Sequence, residues 1–282
     1  MKQMSFKIAL IQMLIEGGNK QRNLAQAEEL INEADRNGAD LALLPEAMDL
    51  GWTHPSCKAE AEPIPDGEPA RRLIQAAKRH RMYLCAGLTE KEGRYVYNSA
   101  LIINRSGDVL CRHRKLNELA IGHPYYDQGD RLNVVHTELG TLGLMICADG
   151  FAKDNVISRA LCYMGADIIL SPSAWAVAGD HDNAKNPYGD TWRKAYIPVA
   201  REFSVWIAGV SNVGAIAAGP WAGRKCIGCS LVIGPAGKEI LQGPYGINAA
   251  TILYVDIEPT KRPARGGAWT EYWKNKAANR NI

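Results

Sequence analysis

Residues 141–150 read T-L-G-L-M-I-C-A-D-G. The apolar run from Leu142 to Ile146 stops abruptly at Cys147, Ala148, Asp149 and Gly150. A run of that length bounded by turn-formers reads as a buried strand. In open α/β sheets the chemistry gathers at the carboxyl ends of such strands, and this reading puts Cys147 there. Free cysteine is also among the most buried residue types, so Cys147 taken alone reads first as a packing residue. Two other segments change that reading.

Working outward, residues 134–138 supply a strand to pair with 143–147. A helix over about 155–164 and an apolar strand over 166–172 follow, the strand ending at Ser173-Ala174-Trp175. Further upstream, residues 6–14 read as a first strand. Asn19 offers an N-cap to a helix in which Leu24, Ala27, Leu30, Ile31 and Ala34 recur at helical spacing until Gly38. Residues 40–44 form a short buried strand that delivers Pro45-Glu46, and 51–65 is loop. Asp66 caps a helix through Arg81, and strands follow over 83–88 and 95–104. After the tight turn Ser106-Gly107-Asp108, a strand over 109–114 delivers Lys115 into a polar, aromatic loop over 116–130. Downstream, a helix over 191–203 precedes strands over 205–210, 228–233, 239–242 and 251–257. Roughly a dozen strands are too many for one comfortable open sheet. The expectation is an α/β fold of two packed mixed sheets with flanking helices.

Composition narrows the function classes. The 282 residues contain no repeat or linker and read as one domain. A net charge of +3 gives no electrostatic footprint for nucleic acid. Seven cysteines, an odd number without a framework, argue against a secreted disulfide scaffold and for reduced thiols in the cytoplasm. The apolar residues 8–15 are interrupted by Gln12 and end at Glu16-Gly17-Gly18 with no small-residue cleavage site. No run approaches the ~18 apolar residues of a membrane span. A soluble, cytoplasmic protein is expected, with neither nucleic acid nor membrane as partner.

Three predicted strand ends therefore present a carboxylate, an ammonium and a thiol: Glu46, Lys115 and Cys147. The set is chemically complete for acyl transfer. A thiol of ordinary pKa near 8.5 needs a base, which Glu46 supplies and which can return the proton to a leaving amine. Lys115 and the backbone N–H of Ala148 can stabilise an oxyanion.

The segments carrying these residues, L-L-P-E-A (43–47), H-R-K-L (113–116) and L-M-I-C-A-D (144–149), resemble the nitrilase superfamily of carbon–nitrogen hydrolases. So do G-A-D-I-I-L-S-P-S-A-W (165–175) and G-C-S-L-V-I-G-P-A-G (228–237), in the same order. The resemblance implies an α-β-β-α sandwich that dimerises, with a catalytic triad on Glu46, Lys115 and Cys147. It implies hydrolysis of a small-molecule amide through a cysteine thioester, by the amidase-like branch and without a cofactor. Hydrolysis of N-carbamoyl amides is the runner-up and nitrile hydrolysis the third choice. A catalytically idle binding or scaffold protein of the same fold would show a lost triad member, and none is lost.

The chain departs from the family pattern in places. The second glutamate usual after the lysine is missing from residues 122–129, G-H-P-Y-Y-D-Q-G. Either Glu118 or His123 is left to fill that role. The tryptophan–glutamate pair that follows the cysteine in true nitrilases is Ala148-Asp149 here, which favours an amide or carbamoyl substrate over a nitrile. Trp52, Tyr125, Tyr126 and Trp175 lie beside the triad segments as candidate pocket walls or core residues. Cys226 and Cys229 have zinc-like spacing but lack a second ligand pair, so no metal is expected. Residues 1–258 form the predicted hydrolase domain. Residues 259–282, with Trp269, Tyr272 and Trp273, form an extension expected to pack on a partner subunit in a homodimer or higher homo-oligomer.

Overall fold

The computed structural model describes residues 5–260. Its first half builds strands β1 (Phe6–Gln12), β2 (Leu41–Leu43), β3 (Tyr83–Glu92), β4 (Tyr95–Ile103) and β5 (Val109–Arg114), with helices α1 (Lys20–Arg36), α2 (Cys57–Glu60) and α3 (Glu68–His80). The second half supplies β6 (Val134–Thr137), β7 (Gly140–Leu144), α4 (Val156–Met164), β8 (Ile168–Ser173), β9 (Ala176–Val177) and α5 (Gly189–Phe203). It continues through β10 (Trp206–Ser211), β11 (Val213–Ala215), β12 (Lys225–Ile227), β13 (Leu231–Ile233), β14 (Glu239–Gln242) and β15 (Thr251–Ile257).

Two six-stranded sheets result among the described residues, ordered β15-β1-β2-β3-β4-β5 and β14-β13-β10-β8-β7-β6. Each has a parallel centre, β1-β2-β3 in one and β7-β8-β10 in the other, with antiparallel strands outside it. Side chains alternate across each strand. In β1, Ile8 and Leu10 face the other sheet and meet Leu142, Leu144, Leu170 and Val210 in one core. Ala9 and Ile11 face outward and are covered by Leu24, Ile31 and Leu73 of α1 and α3. On the far side, Leu161 of α4 and Trp192 and Val199 of α5 cover Met145, Ile169 and Ile207. Central strands buried on both faces read as continuous apolar runs, which is why they stand out in the sequence. The molecule is an α-β-β-α sandwich.

Some boundaries move. β3 extends to Glu92 because its polar end pairs with β4, Thr89 opposite Asn98 and Glu92 opposite Tyr95, a continuation that an apolar run does not announce. Gly67 rather than Asp66 occupies the N-cap position of α3. Cys147 is not in a strand: β7 ends at Leu144 and Cys147 opens a 3-10 turn over Cys147–Phe151. The predicted partner-packing tail, with Trp269, Tyr272 and Trp273, lies outside the described residues.

Candidate active site

Glu46 follows β2, where the chain turns sharply at Ala47, a residue with φ +44°. The segment is pinned between the sheets. Gly87 N donates to Pro45 O at 3.0 Å and Met48 N to Gly87 O at 2.9 Å, while Glu46 N reaches Ser173 O of β8 at 3.3 Å. Gly87 is required for this approach, because a Cβ there would stand 2.5 Å from the Glu46 Cα. The Glu46 carboxylate is thereby carried, almost completely buried, to the strand ends.

Lys115 follows β5, and its N–H donates to Asn98 O at 2.9 Å. Its ammonium donates to Glu46 Oε1 at 2.7 Å and to Glu118 Oε1 at 3.0 Å. Asn98 Nδ2 donates to the same two carboxylates, to Glu46 Oε1 at 2.6 Å and Glu118 Oε2 at 2.9 Å. One cation and one amide thus hold two buried carboxylates in a closed network. Burial works against the Lys115 charge, but Glu46 and Glu118 outweigh it and raise its pKa, so the ammonium persists. Burial pushes the Glu46 carboxyl up, with Lys115 opposing and the Glu118 charge adding to the rise. A carboxyl tuned upward is a better base than an ordinary carboxylate, which suits it to accept and return a proton.

Cys147 sits at φ +44°, a left-handed conformation that costs a non-glycine residue roughly 1–3 kcal/mol and that collects at functional sites. The turn is held by Ile146 N donating to Asp149 Oδ2 at 2.9 Å and Asp149 N donating to Ile146 O at 2.9 Å. The other six cysteines are buried, whereas Cys147 is partly exposed. Its thiol is pushed well up by burial and by Glu46, with Lys115 opposing, so it rests neutral. The N–H of Ala148 stands in the first turn of the 3-10 segment, where a helical ladder offers no acceptor.

Glu46, Lys115 and Cys147 open into one cleft. Its walls include Trp52, Leu119, Ala148, Phe151, Ala174, Ala176, Tyr188, Trp192 and Trp221. Trp52 lies beneath the Lys115 ammonium, 5.5 Å from Nζ to the ring centroid. Glu118 joins Lys115 behind the cleft, and His123 does not. His123 is exposed in a separate polar groove with Lys58, Arg94 and Tyr125, because the turn over Ala120–Gly122 carries the chain outward. Trp175, expected on the wall, lies one layer deeper. It is stacked on Trp192 at 4.4 Å, and Trp192 rather than Trp175 lines the cleft. Tyr126 is also buried, its hydroxyl accepting from Thr53 N at 3.1 Å. Cys226 and Cys229 are buried, and no group of three or more His, Cys, Asp or Glu side chains among the described residues is placed to hold a metal ion.

Sequence reasoning missed Asn98, Phe151, Tyr188, Trp192 and Trp221. Asn98 had a signal: a lone amide within the apolar strand Y-V-Y-N-S-A-L-I-I requires buried partners. The aromatic residues come from irregular segments and helix α5, whose spacing does not reveal which side chains meet.

The carbon–nitrogen hydrolase model matches residues 7–265 of the chain. The chain belongs to this family. A relative described as a nitrilase from Pyrococcus abyssi is 32% identical over 256 residues, covering 89% of this carbon–nitrogen hydrolase and 90% of the relative. Among solved structures, a carbon–nitrogen hydrolase from Helicobacter pylori G27 superposes with a TM-score of 0.80 at 20% identity, covering 91% and 90% of the two chains. An amidase from Nesterenkonia sp. gives a TM-score of 0.76 at 23% identity, covering 98% and 97%. One variant of that amidase shows Michael addition of acrylamide at its active site cysteine. At these identities the two structures show a shared fold. No helix among the described residues is long and apolar enough to cross a membrane.

Proposed function

We propose that this carbon–nitrogen hydrolase cleaves the amide bond of a small molecule through a thioester on Cys147, releasing ammonia or an amine. The observation that carries this reading is the Lys115 ammonium between Glu46 and Glu118, at 2.7 and 3.0 Å, in the cleft where Cys147 is exposed. As the sulfur bonds to the amide carbon, Glu46 takes the thiol proton. Lys115 and the Ala148 N–H receive the oxyanion. The C–N bond then breaks, and Glu46 gives its proton to the departing nitrogen. Water entering the cleft loses a proton to Glu46 and attacks the thioester. Collapse releases the carboxylic acid, and the proton returns to sulfur. Glu118 and Asn98 touch no reacting atom in this scheme; they fix Lys115 and Glu46.

An amide is favoured over a nitrile because Ala148-Asp149 replaces the pair that follows the cysteine in nitrilases, and Asp149 is fully buried and engaged with backbone N–H groups. Carbamoyl amides would undergo the same steps. The assignment extends to a cytoplasmic protein, on its odd set of cysteines without disulfides, and to an assembly of two or more copies, with Val156 and Met164 exposed on α4.

An ammonia-release screen over amides, carbamoyl compounds and nitriles tests the reading. Turnover of amides that disappears in Cys147→Ala is expected. Turnover confined to nitriles, or unchanged in that variant, overturns it.

A further inference from the structure

We propose that the cleft selects amides whose acyl group is uncharged and apolar or aromatic, and turns away amides carrying a carboxylate. The inference rests on the reading of Cys147 as nucleophile and adds the chemistry of the substrate. Two aromatic pairs wall the cleft: Phe151 with Trp192, ring centroids 4.3 Å apart, and Trp52 with Trp221, 4.7 Å apart at 64°. Leu119 and Tyr188 complete the lining beside them. Trp192 is backed by Trp175, stacked at 4.4 Å, so that wall is closely packed aromatic surface two rings deep.

Charge points the same way. Lys115 is the one cation among the described residues that line the cleft, and Glu46 and Glu118 already engage it. Arg224 stacks on Trp221 at 4.8 Å but is exposed and not part of the lining. An anionic acyl tail would lose its water against indole faces, whose π-clouds repel negative charge, beside two carboxylates. A neutral tail gains instead, by about fourfold in affinity for each buried CH₂.

Hexanamide and the monoamide of adipic acid make a matched pair, differing by a terminal methyl against a carboxylate. Steady-state ammonia release by the intact chain gives kcat/KM for each, and tryptophan fluorescence titration of the same protein gives binding. The expected result is a preference for hexanamide of about 10²-fold or more, the scale of a like-charge juxtaposition. Adipic monoamide handled within about threefold of hexanamide, or neither amide binding, overturns the inference. Hexanamide binding preferentially without turnover supports the selectivity while removing the catalytic reading, so the two failures are told apart.

Discussion

His113 Nε2 donates to Asp149 Oδ2 at 2.8 Å, with both side chains buried, two residues before Lys115 and two after Cys147. The same carboxylate accepts Leu116 N at 3.1 Å, Asn117 N at 2.8 Å and Ile146 N at 2.9 Å. Asn117 Nδ2 returns a bond to Ala148 O at 2.6 Å. The nucleophile turn and the lysine loop, from different sheets, are therefore tied through one carboxylate.

Asp149→Asn should cost on the order of 3 kcal/mol at pH 7, as for a buried pair losing one partner, and should lower kcat by loosening both segments. Burial alone would raise the Asp149 carboxyl, but the His113 hydrogen bond and charge and the backbone N–H donors outweigh it and hold it below the usual range. A depressed carboxylate contributes stability above its unfolded value of about 3.9, and loses it as pH falls through the folded value. Denaturant titrations at pH 7 and below pH 4 should show the deficit of the variant shrinking in acid. A deficit equal at both pH values would count against this role.

Cys147→Ala should abolish turnover while preserving the fold, since a cysteine packs as a small hydrophobe whose space alanine fits. Mass spectrometry of the folded native chain after iodoacetamide should find label on Cys147 first, because the other six cysteines are buried. Cys57 and Cys85 are completely buried, so they should react last. Labelling spread evenly over the seven would contradict the geometry.

Glu118→Gln should lower kcat by roughly 10²-fold or more, the scale of lost transition-state electrostatics, with a smaller change in KM. His123→Ala should leave both constants nearly unchanged, since His123 is exposed away from the cleft. The reverse ranking in steady-state kinetics would transfer the role to His123.

Gly87→Ala should destabilise by about 1–3 kcal/mol, as overpacking does. The added Cβ would meet the Glu46 Cα at 2.5 Å and Pro45 O at 2.7 Å, and both are backbone atoms with nowhere to retreat. Activity should fall further than stability because Glu46 itself is displaced. A thermal melt and kinetics run together check this, and a variant with native values for both would refute the close approach.

The layered fold was legible because central strands such as β1 and β2 are buried on both faces and show as apolar runs, I-A-L-I over 8–11 and L-A-L-L over 41–44. Glu46 and Cys147 were legible because each stands just beyond an apolar run, whereas Lys115 follows the charged strand V-L-C-R-H-R and was legible through the family resemblance. The position of Cys147 on a φ +44° turn was not, since nothing in I-C-A-D marks where the ladder with β8 stops. Trp192 lines the cleft where Trp175 was expected for a related reason: a tryptophan after a strand shows that an aromatic packs nearby, but not which of two stacked rings meets the cleft. Asn98 was readable in type and not in partner, because Glu46 and Glu118 reach it from 52 and 20 residues away.

The pairing of β1 with β15 bears on how the chain is made. Residues 6–12 run antiparallel to 251–257 along their whole length, and Gln12 donates to Pro244 O at 3.0 Å and Ala249 O at 2.6 Å. At roughly 5–20 residues per second of translation, β1 emerges some 10–50 seconds before its outer partner exists. Throughout that interval the segment F-K-I-A-L-I-Q offers an open, apolar hydrogen-bonding edge of the kind that recruits other strands. Synthesis interrupted before residue 251 leaves that edge permanently uncovered, so truncated products of this chain are the species a chaperone would have to hold.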